Sequence, residues 1–345
     1  MPLYRQGEEL AKLGFEIPSS SMADRGSTGL PIWCNPSTRS LPQVGARSAR
    51  RRTDATSLPW VRQGQPQRDP PRRAWAYALT TNDEPVAAYL VCVDRKKTAQ
   101  RPGEIGPEEM LMRRRGFVCA DASNLFDASF AAGNCIEIGC NMHARRYFVK
   151  ALDAKDMRAA APIAAFKALY DVEASVHEAS PERRTEERQK RSKPVYDELL
   201  AWCEAYKPNE PPSSLLGKAI QYVLNHQLAL TRFLDDGTLP IDNGIVERLH
   251  RIPAITRRNF LFAGSHAGGE RAAIAYSIIA SCILVDVDPE EYLADILPRL
   301  ARDGVVLSKV DELLPAAWKK ARAKSARETS DVERSVVAEA APPVV

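Results

Sequence analysis

The strongest constraint on the fold is a change of hydrophobic period near residue 140. Between Thr53 and Cys140 the apolar residues come in runs of strand length: RTDATSLPW, AWAYALTT, EPVAAYLVCVDR, GFVCADA and CIEIGC. From Met142 to about Asp236 they recur instead at spacings of three and four. The segments are HARRYFVKALDAKD, AAPIAAFKALYDVEASVHEAS, the charged residues 181–206, and SSLLGKAIQYVLNHQLALTRFLDD. A sheet-bearing core followed by an all-α block is therefore predicted. Two helices fall between the later strands. GPEEMLMRRR carries acids in its first turn and bases in its last, and SNLFDASFAAG has Ser123 as a cap with Gly133 behind it.

Three strands, helix, strand, helix, strand is the order of a ribonuclease-H-like fold. The expected class is α/β: a mixed sheet with an all-α insertion ahead of a later acid-bearing helix. Residues 1–52 read as a partial helical segment (residues 4–13) and an irregular linker rich in Pro, Gly, Ser and Arg. Residues 53–142 and 237–303 are the two parts of the core, and 143–236 the insertion. Residues 304–345 are a C-terminal extension, disordered from about 325. Within the second part AGGERAAIAYSIIASCILV is an apolar helix, and PEEYLADILPRLA an amphipathic one begun by Pro289.

Composition sets the outer bounds. In 345 residues, 44% hydrophobic and 27% charged describe an ordinary soluble chain, and the net charge of +4 is local rather than global. Arginines cluster at Arg47 with Arg50 to Arg52, at Arg72 with Arg73, at Arg113 to Arg115, at Arg145 with Arg146, and at Arg257 with Arg258. Such clusters can follow a phosphate backbone, and they are also ordinary solvated faces. Seven cysteines without a CxxC pair read as buried thiols of a reducing compartment. No signal peptide and no membrane-length apolar run is visible, so a soluble, cytoplasmic protein with no membrane partner is expected.

The chemistry concentrates in PIDNGIVERLHRIPAITRRNFLFAGS, residues 240–265. A helix opening near Asn243 puts Glu247 and Arg251 four apart on one face, with Arg248 to the side. A solvated helix laced with ion pairs is the plain alternative. Asp54 lies on the first predicted strand and Asp121 at the end of the fourth, which are neighbours in that fold. Three carboxylates meeting there suit Mg²⁺ or Mn²⁺ and two-metal phosphodiester chemistry. An Asp at a strand end is also a common turn residue. Cys140 and His143 in CNMH have ligand-like spacing but no second pair, and read as a helix-start pairing. GSHAGGERA reads as a turn into a helix rather than a phosphate loop. Asp94, Asp127 and His177 have no evident partner, and Phe126, Phe130, Phe148, Phe166 and Tyr170 read as core.

IDNGIVERLHRIPAITRRNFLFAGSHAGGERAAIAYSIIASC closely resembles the C-terminal signature of bacterial transposases of the insertion sequence 66 family, as do GCNMHARRYF and ADASNLFDASF. The resemblance covers most of residues 53–302. It implies a DDE-type polynucleotidyl transferase that cleaves and joins DNA strands with Mg²⁺. Asp54, Asp121 and Glu247 would then be the catalytic metal ligands, with Asp242 and Asn243 supporting them. Arg145, Arg146, Arg248, Arg251, Arg257, Arg258 and Asn259 would form the DNA-facing basic surface. DNA, as transposon ends and target, is the implied partner, bound by a homodimer or larger assembly. Family members carry a coiled-coil-like helix and a Cys-rich zinc module ahead of this region, so the chain reads as N-terminally truncated. Two alternatives stay open: a catalytically silent remnant that binds DNA non-specifically, and a ribonuclease-H-type nuclease acting on another nucleic acid.

Overall fold

The computed structural model describes residues 50–60, 72–81, 85–92, 115–121, 127–131, 133, 135–256, 266–303, 310–325 and 327. The strands are β1 (Arg50–Trp60), β2 (Arg72–Thr81), β3 (Ala87–Cys92), β4 (Gly116–Ala120) and β5 (Cys135–Gly139). They form one sheet in the order β3-β2-β1-β4-β5. The pairs β1–β2 and β2–β3 are antiparallel, while β1–β4 and β4–β5 are parallel. All five strand-length runs become strands.

One boundary moves. Arg50, Arg51 and Arg52, expected in the linker and in a phosphate-facing cluster, are the first residues of β1. Arg51 is only 3% exposed, and its guanidinium donates to the Arg115 carbonyl at 3.0 Å. The predicted helices over 4–13 and 106–115 lie outside the described residues. Between the parallel strands β4 and β5 the chain forms α1 (Asp127–Ala131), and Gly133 follows at φ 73°, a left-handed turn that glycine adopts without a Cβ penalty.

The helical block comprises α2 (Asn141–Asp153), α3 (Ala160–Ser175), α4 (Pro181–Glu187), a π turn over 188–192, α5 (Lys193–Tyr206), α6 (Leu215–Asn225) and α7 (Gln227–Thr231). The last predicted helix is thus two, broken at His226. Phe148, Phe166, Leu169, Leu199, Ile220 and Val223 share their core with Cys119 of β4 and Ile138 of β5, so sheet and helices are held by one hydrophobic cluster. Of the aromatics expected in the core, Phe148 and Phe166 are fully buried, Phe130 is partly buried, and Phe126 lies outside the described residues.

Asn141 pins this junction. Its side-chain amide donates to the carbonyls of Leu230 at 3.0 Å and Ile241 at 3.1 Å, and its oxygen accepts from the Tyr196 hydroxyl at 2.9 Å. Tyr196→Phe leaves that buried oxygen without its donor. The expected cost is about 1–2 kcal/mol in urea unfolding, and an unchanged midpoint would contradict it.

The remaining elements are α8 (Gly244–Leu249), α9 (Arg251–Thr256), α10 (His266–Leu284), α11 (Pro289–Asp303), α12 (Val310–Leu313) and a helix over 315–325. α10 closes the free edge of β3. Ser281 and Ser277, four apart on the helix, accept from the backbone N–H groups of Ala87 at 3.0 Å and Tyr89 at 2.8 Å. Four helical residues rise about 6 Å and two strand residues about 6.6 Å, so the spacings match and the exposed edge is satisfied. The expected C-terminal extension contains folded helix: Trp318 packs edge-on against Tyr292 and donates to Asp295 at 2.7 Å. Among the described residues no helix is long and apolar enough to cross a membrane.

Candidate active site

The two aspartates are set by strand register. β1 and β4 pair as Arg50 with Phe117, Arg51 with Val118 and Arg52 with Cys119, each 67 residues apart. Asp54 and Asp121 have the same separation, so each stands two residues beyond the last β1–β4 pair, Arg52 with Cys119. Asp121 directly follows β4 and is partly exposed.

Glu247 comes from α8, which packs against β1 and β2. The helix is fastened by Asn243, fully buried, whose amide donates to the Thr53 carbonyl at 2.8 Å, one residue before Asp54. Asn243→Ala strands that carbonyl and loosens α8 from β1. A loss of about 1–3 kcal/mol in stability is expected in urea unfolding. An unchanged unfolding midpoint would contradict that role for the Asn243–Thr53 bond.

The expected single helix with Glu247 and Arg251 on one face is not what the fold provides. α8 ends at Leu249, His250 turns the chain, and Arg251 opens α9 and is exposed. The partners of Glu247 come from α2: Arg146 donates to Oε2 at 2.8 Å, and His143 Nε2 lies 3.2 Å from Oε1. Cys140 Sγ accepts from the Asn243 N–H at 3.3 Å. The ligand atoms of Cys140, His143 and Glu247 all lie within 4.8 Å of one another. CNMH, read from the sequence as a helix-start pairing, does open α2, and its Cys and His also meet an acid more than a hundred residues away.

Burial dominates the electrostatics. It lowers the pKa of His143 below the ordinary imidazole value, opposed by the charges of Glu247 and Asp121, both of which act on the ring. Burial likewise pushes the Cys140 thiol up to about 12. Asp242 accepts from the Tyr170 hydroxyl at 2.7 Å and from the Gly244 N–H at 2.8 Å. Tyr170, expected as simple core, thus reaches the site, and burial with the Asp242 charge raises its pKa. Arg52 faces the same carboxylate, its pKa lowered by burial while Cys119 and Asp242 oppose the shift. Arg52 was hidden in the sequence among its arginine neighbours.

Of the predicted basic surface, Arg146 and Arg248 are exposed, like Arg251, and Arg145 is partly so; Arg257, Arg258 and Asn259 lie outside the described residues. Asp127 acts electrostatically on Glu137 and His226, and His177 is exposed 4.0 Å from Glu178. Asp94 is outside the described residues.

The profile of the Transposase IS66 family matches residues 1–271. The chain belongs to this family. The match includes residues 1–52, which the motif resemblance had left out. Uncharacterized protein y4jD of Sinorhizobium fredii (strain NBRC 101917 / NGR234) is 29% identical over 324 residues, covering 92% of this chain and 63% of the relative. Uncharacterized protein y4hP of the same organism is 30% identical over 349 residues, covering 93% and 60%. This IS66 family chain therefore spans less than two thirds of the length of these relatives.

Proposed function

We propose that the chain is the catalytic region of a DDE-type transposase on a ribonuclease-H-like fold, acting in metal-dependent cleavage and transfer of DNA strands. The observation that carries this reading is the shared 67-residue separation of the β1–β4 pairs and of Asp54 and Asp121. Glu247 supports it, delivered to the same strand by the Asn243 bond to Thr53. The strand order β3-β2-β1-β4-β5, with its first two pairs antiparallel and its last two parallel, supports the fold assignment.

The donor set is chemically one that a hard cation takes: three carboxylates. Asp54, Asp121 and Glu247 would hold Mg²⁺ or Mn²⁺. When bound, such ions activate an attacking oxygen and neutralise charge on the leaving one. The chain's own residues do the rest. Arg146 clasps Glu247, and its guanidinium, 48% exposed, can pass from the carboxylate to an incoming phosphate. Arg145, Arg248 and Arg251 add positive charge along the approach, and Tyr170 with the Gly244 N–H holds Asp242 in place beneath α8. Use of two transposon ends would call for a dimer or larger assembly on DNA.

The test is cleavage of end-labelled DNA with and without Mg²⁺, with RNA–DNA hybrid as the comparison substrate. Mg²⁺-dependent DNA cutting supports the proposal. Salt-sensitive binding without cutting would support the non-specific remnant, and cutting of the hybrid alone would support the nuclease.

A further inference from the structure

Glu247 meets two side chains at the start of α2 whose chemistry differs from that of the carboxylate set. Cys140 stands at the N-terminus of the 13-residue helix α2, His143 follows one turn later, and Glu247 comes in from α8. Their sulfur, nitrogen and oxygen donors lie within 4.8 Å of one another. This mixture does not suit Mg²⁺, which takes oxygen ligands in octahedral geometry; thiolate, imidazole and carboxylate together select Zn²⁺ and similar borderline ions.

The polar atoms of the cluster are also left short of partners. His143 Nδ1 and Glu247 Oε1 are both buried without a hydrogen bond, since the 3.2 Å approach of His143 Nε2 to Oε1 lacks hydrogen-bond alignment. Buried polar atoms of this kind call for an occupant or a function. Cys140 is buried as a thiol, and it is the bound cation that would hold it as thiolate. Its sulfur accepts from the Asn243 N–H, and it lies where the helix dipole favours negative charge.

We propose that Cys140, His143 and Glu247 form a binding site for a thiophilic divalent cation, Zn²⁺ above all, with a fourth position open to water. Binding breaks the Cys140 S–H bond, forms a sulfur–metal bond and releases the proton to solvent; no electrons are transferred. Because Glu247 is shared with the oxygen-ligand set, zinc at this site withdraws it from the proposed Mg²⁺ chemistry. Only this last consequence rests on the function proposed above.

The metal-free full chain is titrated with Co²⁺, whose thiolate charge-transfer absorption reports a sulfur ligand, and then with Zn²⁺ in competition. A thiolate–cobalt band that Zn²⁺ displaces is expected. Cys140→Ser removes the band and weakens Zn²⁺ binding about 10-fold or more, whereas Cys203→Ser, in the helical core, leaves both intact. Circular dichroism checks that Cys140→Ser is folded. His143→Gln, at a partly exposed position, is the second variant, expected to weaken Zn²⁺ comparably while keeping the sulfur band. No band at saturating Co²⁺, or a band that survives in folded Cys140→Ser, overturns the site. Neither readout depends on DNA cleavage, so a chain that binds zinc but, freed of zinc and given Mg²⁺, still does not cut DNA would sink the transposase reading and leave this one standing.

Discussion

Glu247→Gln is expected to lower Mg²⁺-dependent cleavage of labelled DNA by about 10²–10³-fold or more, the loss of several kcal/mol of charge stabilisation at the reacting phosphate. The amide keeps the shape of the side chain but gives up the anionic oxygen. Stability should hardly change. The principal partner lost is Arg146, half-exposed, and exposed ion pairs contribute about 0–1 kcal/mol. DNA affinity should hold or rise slightly, because removing a negative charge frees Arg146 for phosphate. Rate, stability and affinity therefore separate: a large fall in the first with small changes in the others. A Gln variant that cuts as well as the parent chain would remove Glu247 from the chemistry.

The largest stability effect is expected far from the site, at Arg188 on the π turn between α4 and α5. Its side chain is 1% exposed. It donates to both oxygens of Glu173 at 2.7 and 2.6 Å and to the carbonyls of Phe233 at 2.7 Å and Asp236 at 2.9 Å, with its guanidinium over the Phe233 ring. Arg188→Met fills much of the volume but strands a carboxylate and two carbonyls. Removing one partner of a buried pair costs about 3–5 kcal/mol, and that loss is expected in urea unfolding. Glu173→Leu combined with Arg188→Met should recover part of it, because the orphaned charge then disappears. A single variant within about 1 kcal/mol of the parent would show that the pair is dispensable.

How much of this was legible in the chain depends on range. The five strands announce themselves because burial on a sheet selects continuous or alternating apolar runs, and AWAYALTT or CIEIG is readable one residue at a time. α8 is legible too: Asn243 before GIVERL marks a start, and the helix begins there. The partners of Glu247 were not legible. Arg146 is 101 residues away, and nothing in HARRYF says which of two adjacent arginines reaches Glu247. Arg188 poses the same problem among the many charges of residues 181–206, because burial of a charge depends on carbonyls supplied by a distant turn. The helices around Trp318 were missed for a different reason. They bury a few large side chains, Trp318 and Leu314 among them, against α10 and α11 without a long apolar stripe.

The central claim is that Asp54, Asp121 and Glu247 serve one divalent-cation site. It is tested most directly by loading the full chain with Fe²⁺ in place of Mg²⁺ and generating hydroxyl radicals at the bound iron with ascorbate and peroxide. Convergence predicts backbone scission beside residues 54, 121 and 247 together, suppressed by excess Mg²⁺ and lost at all three places in Glu247→Gln. Scission near one of the three alone, or cutting that Mg²⁺ does not suppress, would contradict it.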